Sequence, residues 1–252
     1  MYETITEELT KAQNYYLEGY FLHKFSEKKT EKINSIIEDI CINKKIKEGF
    51  SLVPKYHGTA DLRPFAFNYD DEILEFLINA KIYETLKALT GQDLFLYHVQ
   101  LRLTSPYSNL NNQESYMDWH RDSYFKEGKR VGSFPPAHKV IYYPSFENSE
   151  DALRIIPGSH KADLHADQSY KNFHLNDFDK YLIQNIKEEV IQYSNSQVVI
   201  FNTAALHAAA INQKHIRPRL IYSFLTRDQV ENSEDSHRNL GSLFENKISK
   251  TR

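Results

Sequence analysis

The sequence predicts a mainly β domain with helices ahead of it, and three observations predict it. Apolar residues recur at helical spacing as far as Gly91, the period shortens to that of strands at Leu94, and strand-like segments follow to Leu225. The 252 residues divide into a helical flank over 1–92, a β region over 93–226 interrupted by a polar insertion at 161–196, and a polar tail over 227–252. With no repeat and no linker, this reads as one domain. A hydrophobic content of 40% with 26% charged residues is that of a soluble globular protein. A net charge of -3 gives no reason to expect nucleic acid or an anionic membrane as partner. Cys41 is the only cysteine, which excludes an internal disulfide and suits a reducing cytoplasm. The first residues carry acids where a signal peptide carries bases, and no apolar run approaches the ~20 residues of a membrane span.

In chain order, Ile5, Leu9, Ala12, Tyr16 and Leu17 form the apolar stripe of a first helix that Gly19 stops, and Tyr20 to Phe25 is a short strand. Ser26 is placed to cap a second helix with Ile33, Ile36, Ile37, Ile40 and Cys41 on its stripe. Pro54, Gly58 and Pro64 make 49–68 irregular or short-stranded. A third helix runs from Asp70 or Asp71 through Leu89 and closes at Gly91. Leu94 to Leu103 is a strand rich in aromatic and branched residues. Its alternation sets Gln100, Arg102 and Thr104 on one face and Val99, Leu101 and Leu103 on the other, so the polar face lines a pocket or meets solvent. Gly128, Gly132, Pro135 and Pro136 suggest a mobile loop. Further strands are expected at His138 to Tyr143, Ala152 to Ile156, Gln197 to Phe201, around His207 and at Leu220 to Leu225.

Chemistry concentrates at Trp119-His120-Arg121-Asp122. Residues two apart on a strand point to the same side, so His120 and Asp122 offer two ligands from one short piece of backbone. His207, in a second strand-like stretch, is the candidate third. Two imidazoles and one carboxylate form the facial triad of non-haem Fe(II) oxygenases and leave three coordination positions open. The His-x-Asp spacing alone is weak, as His165-Ala166-Asp167 repeats it in a polar stretch with no strand pattern.

An oxygenase that reduces O2 at Fe(II) needs two more electrons. 2-Oxoglutarate supplies them, and its distal carboxylate calls for a fixed cation; arginine binds a carboxylate with a planar fork and stays charged. Arg217 and Arg219 share one face of the last strand, so either could serve. Arg219, which begins the apolar run, is preferred. The order His-x-Asp, about 85 residues, His, about a dozen residues, Arg is far more specific than any of its parts.

With these motifs the chain resembles the phytanoyl-CoA dioxygenase family of Fe(II)/2-oxoglutarate oxygenases, which includes ectoine hydroxylases. The resemblance runs from Gly19-Tyr20-Phe21 to Arg219, and Leu153-Arg154-Ile155-Ile156-Pro157-Gly158-Ser159-His160 is its most characteristic block. It implies a double-stranded β-helix (jelly-roll, cupin-like) barrel, with His120, Asp122 and His207 on the iron and Arg219 on 2-oxoglutarate. It also makes Thr104 a hydrogen-bond donor to the cosubstrate, and Gln100 and Arg102 part of a substrate-binding strand. Two departures stand out: Ala209 replaces a serine that relatives often carry two residues after the distal histidine, and the arginine lies one position later than in such relatives. The resemblance further implies oxidative decarboxylation of 2-oxoglutarate to succinate with hydroxylation of a small molecule, and Asp122 excludes the halide position of related halogenases.

The substrate is not legible in the sequence. Arg102, Arg121, Lys126, Lys129, Arg130 and Arg154, among Tyr107, Tyr116, Tyr124, Phe125 and Tyr143, would make a rim for a small anionic or amphipathic molecule, or an ordinary charged surface. Two alternatives stand beside the oxygenase: a barrel that binds metal and ligand without turnover, and a metal-dependent lyase or isomerase.

Overall fold

Seven strands pair antiparallel in the order β1 (Tyr20–Lys24), β10 (Gln197–Asn202), β7 (His138–Tyr142), β12 (Arg217–Thr226), β4 (Leu94–Thr104), β3 (Thr59–Asp61) and β2 (Ser51–Leu52). A second antiparallel sheet holds β11 (His207–Ala209), β8 (Leu153–Ile155) and β9 (Glu189–Val190), and β5 (Tyr124–Lys126) pairs with β6 (Lys129–Val131) in a third. This computed structural model describes residues 2–42, 51–52, 59–61, 70–104, 119–122, 124–126, 129–131, 138–144, 153–161, 175, 177–191, 196–209, 217–226 and 249.

Period-2 alternation sorts the seven-stranded sheet into two apolar faces. Val99, Leu101, Val140, Tyr142, Val198, Ile200, Leu220 and Tyr222 form one cluster with Tyr15 of α1 (Tyr2–Glu18), Ile33 and Ile37 of α2 (Glu31–Ile42), Leu74 and Leu77 of α3 (Asp70–Asn79) and Leu86 of α4 (Ile82–Thr90). The alternate residues Ile141, Val199, Phe201 and Ile221 cluster with Leu153, Ile155 and Ala205. Helices therefore cover one face of the large sheet and the small sheet covers the other. Each fully buried branched side chain contributes about 1.5–3 kcal/mol. Among the described residues, no helix is long and apolar enough to cross a membrane.

Four local expectations change. The helix expected over 70–90 is two helices, because Lys81 adopts φ 56. At that break the Ala80 carbonyl accepts a hydrogen bond from His23 Nε2 at 2.8 Å. In α1 the expected stripe is exposed at Leu9, Tyr16 and Leu17, and among the described side chains of this helix Tyr15 is the buried one. Ser26 precedes a 3-10 turn over Glu27–Lys29 and makes no side-chain cap. Near Gly128, where a loop is expected, Tyr124–Lys126 pairs antiparallel with Lys129–Val131. Gly19 ends α1 at φ +84, and a Cβ there would stand 2.5 Å from His160 Nδ1, so the close approach requires glycine. The stretch around His165 and residues 227–248 lie outside the described residues.

Tyr15 and His138 tie α1 to the sheet through a 2.6 Å hydrogen bond from the phenol to Nδ1. Burial, with His160 nearby, lowers His138 to about 4. The folded protein refuses a proton that the unfolded chain accepts near pH 6.5, so this contribution is complete above pH 6.5 and is lost as the pH falls toward 4. Wild type should lose about 2 kcal/mol more between pH 7 and 4.5 than His138→Gln, measured by denaturant unfolding at each pH. Equal losses would show that His138 does not titrate in this way.

Candidate metal centre

The site is assembled by backbone pairing. The His120 N–H donates to the His207 carbonyl and the His207 N–H donates to the His120 carbonyl, both at 3.0 Å. The Asp122 N–H reaches the Thr203 carbonyl at 3.1 Å. His120 and His207 are thus cross-strand neighbours with ring centroids 4.3 Å apart, and Asp122, two residues on, reaches the same side. His120 Nε2 lies 3.7 Å from Asp122 Oδ1 and His207 Nε2 lies 3.6 Å from Asp122 Oδ2. One potential ligand atom from each of the three residues falls within 4.8 Å of the others.

Protonation suits a cation. His207 Nδ1 donates to the Ala205 carbonyl at 2.9 Å, and since a carbonyl only accepts, Nε2 carries the lone pair and faces Asp122. Burial, with His120 beside it, pulls His207 down to about 3, so the ring is neutral near pH 7. Burial opposes the charge on Asp122, yet Lys139 and the two histidines hold its carboxyl well below the usual carboxylate range. Lys139 Nζ donates to Asp122 Oδ2 at 2.6 Å. Two imidazoles and one ionised carboxylate, converging from two backbone segments, fit a divalent metal and leave one side of it open.

Arg121, between the two ligands on its strand, points the opposite way. It is 2% exposed, and its guanidinium donates to Asp179 Oδ1 from Nε at 3.0 Å and Nη2 at 2.8 Å, and to the Ser159 carbonyl at 2.7 Å. It also donates to the Ala204 carbonyl. Asp179 belongs to α5 (Asp177–Asn185), so this arginine anchors the insertion to the histidine strand and is no part of a substrate rim.

On the sheet face opposite the helices, Arg219 stands across from Arg102, Ile221 from Gln100, and Ser223 from both His98 and Lys139. Gln100 and His98 are 4% and 5% exposed, so at these two positions the polar face of β4 is shielded from solvent. Arg219 is buried and Arg102 half-buried. Arg217 pairs with Thr104 by register; the side chains of Arg217, Thr104 and Tyr124 lie outside the described residues. Arg154 is not brought to the triad: it pairs with Glu188 at 2.6 Å and its guanidinium lies 4.9 Å over the Trp119 ring. His160 contacts the Tyr16 carbonyl, away from the triad.

Lys139 is a site residue that the motif search does not find. A signal for it exists: it shares parity with Ile141 and Tyr143 on a strand apolar on both faces, so its ammonium requires an anion between the sheets.

No protein-family model matches the chain, and no curated protein matches it. Solved structures do share its fold, and two of them are non-haem enzymes dependent on alpha ketoglutarate (2-oxoglutarate). Among them is the epimerase SnoN, crystallised with Fe3+, alpha ketoglutarate and nogalamycin RO, at 11% identity over 88% of this chain and 84% of that one, TM-score 0.67. EctD from S. alaskensis with bound Fe matches at 14% identity over 87% and 77%, TM-score 0.61. The carbocyclase SnoK from nogalamycin biosynthesis matches at 14% identity over 86% and 83%, TM-score 0.58. At such identities the likeness establishes the fold and leaves the chemistry to the site.

Proposed function

We propose that this protein is an Fe(II)- and 2-oxoglutarate-dependent oxygenase on a double-stranded β-helix, acting on a small molecule. The observation that carries the reading is the convergence of His120 with the buried Asp122 and His207, Asp122 held ionised and His207 held neutral, in a fold shared with enzymes of that dependence. Bound iron with 2-oxoglutarate and O2 supplies an oxidant for an unactivated C–H, with release of succinate and CO2. The protein's part is to hold and orient. His120, Asp122 and His207 present three donors to one side of the metal. Arg219, buried on the same sheet face, is the counter-charge for the distal carboxylate of 2-oxoglutarate, with Arg217 and Thr104 one row further on. Ile141, Val199, Phe201 and Ile221 exclude water from the space between the sheets. Gln100 and Arg102 are the groups toward which an anionic substrate would orient. Hydroxylation is the favoured outcome, with desaturation or ring closure as alternatives, and the epimerase and carbocyclase of the same fold favour epimerisation or ring closure as the second reading.

The test is succinate formation by anaerobically purified protein given Fe(II), ascorbate, 2-oxoglutarate and air, without substrate. Slow uncoupled turnover is expected. Arg219→Ala should weaken 2-oxoglutarate binding about 30- to 100-fold, because it removes a charge-assisted bidentate contact. If iron-loaded wild type shows neither succinate nor the anaerobic 2-oxoglutarate-to-iron absorption band, the oxygenase reading fails. The non-catalytic binding barrel and the metal-dependent lyase or isomerase then move ahead.

A further inference from the structure

We infer that Lys139 is a built-in counter-cation of the metal centre: it holds Asp122 in the metal-free protein, and an incoming divalent metal competes with it for that carboxylate. The inference rests on the metal-site reading above. Lys139 Nζ is 2.6 Å from Asp122 Oδ2, and the two side chains are 17% and 11% exposed. Both are therefore largely removed from water, where an ionised carboxylate without a partner is strongly disfavoured. Among the described contacts Lys139 is the side-chain hydrogen-bond donor to this carboxylate, while the Nε2 atoms of His120 and His207 stand 3.7 and 3.6 Å from it. Phe201 stands opposite Lys139 in register, and the buried Ile141 and Ile221 lie on the same sheet face.

Topology makes the pair a brace as well. Lys139 belongs to β7 of the large sheet, opposite Phe201 and Ser223, whereas Asp122 is held by the Thr203 carbonyl beside the small sheet. The lysine reaches across the gap between the sheets and takes Oδ2, leaving Oδ1 toward His120 Nε2. A metal joining His120, Asp122 and His207 would bring its own positive charge to the same carboxylate. The Lys139 contact then supports the metal-free state more than the loaded one. By linkage, an interaction of that kind lowers metal affinity by the factor by which it favours the metal-free form.

The experiment uses the full chain at fixed pH, with Co(II) as probe, read by its d–d absorption and by thermal melting. Lys139→Met keeps most of the side-chain volume and removes the charge. The metal-free variant should melt about 4 °C or more below wild type and bind Co(II) at least about tenfold more tightly. Adding Asp122→Asn to Lys139→Met removes the stranded carboxylate, so the double variant should melt above Lys139→Met without metal. Equal or weaker Co(II) binding by Lys139→Met would overturn the inference and make the lysine an orienting group. A double variant that melts no higher than Lys139→Met also overturns it, including where Lys139→Met folds too poorly for titration. Wild type that binds no Co(II) would sink the metal-site reading instead, while the metal-free melting comparison would still decide whether Lys139 neutralises Asp122.

Discussion

Asp122→Asn is expected to weaken Fe(II) binding by more than about 100-fold and to abolish 2-oxoglutarate turnover, while the chain stays folded. The carboxylate is the only anionic donor of the three-residue set, and two neutral imidazoles alone are a weak site for a hard divalent ion. Losing a group that merely orients a ligand costs about 10- to 100-fold in metal affinity, so losing the ligand itself should cost more. The asparagine amide keeps the volume and can still accept from Lys139, which separates loss of metal from loss of fold. Anaerobic Fe(II) titration beside a melting curve reads both. Wild-type affinity in this variant would remove Asp122 from the metal.

Arg121→Met is expected to have the largest effect on stability, although Arg121 touches no ligand. The substitution strands Asp179, whose side chain is 8% exposed, and takes donors from the carbonyls of Ser159 and Ala204. Breaking a buried pair by removing one partner costs about 3–5 kcal/mol, which for a chain of this size is roughly 10 °C in melting temperature. Replacing both partners, as Arg121→Met with Asp179→Leu, should recover much of it, since no buried charge is then left alone. Calorimetry on the two variants decides. A loss under about 1 kcal/mol in the single variant would mean that the guanidinium does not hold α5 to the histidine strand. Because His120 and Asp122 flank Arg121, the single variant should also loosen metal binding, whereas a purely peripheral ion pair would leave it unchanged.

These two neighbours show what is legible locally and what is not. His120 and Asp122 can be placed together from their spacing, since backbone alternation puts residues two apart on one side whatever the remainder of the fold does. The same rule places Arg121 on the opposite side, but not what waits there. Its partner Asp179 is 58 residues away in α5, and a long-range buried pair leaves no local pattern. The surroundings of Arg154 are hidden for the same reason: its guanidinium meets Glu188 and lies over Trp119. The strands that begin near Leu94, His138, Leu153, Gln197 and Arg219 are legible because two apolar faces impose a period on the sequence, whereas the short β5, β6 and β9 carry no such period. The break at Lys81 is not legible, and the Ala80 carbonyl beside it is taken by His23 from 57 residues away.

Periodicity and side-chain chemistry are local properties. The order of the main elements, the β character between Leu94 and Thr226, and the residue types suited to iron and 2-oxoglutarate can therefore be read from the amino-acid string alone. That His207 pairs with His120, that Lys139 from another sheet neutralises Asp122, and what Arg121 meets on its own side are contacts between segments distant along the chain. Folding selects them, because burial between two sheets forbids an unpaired charge.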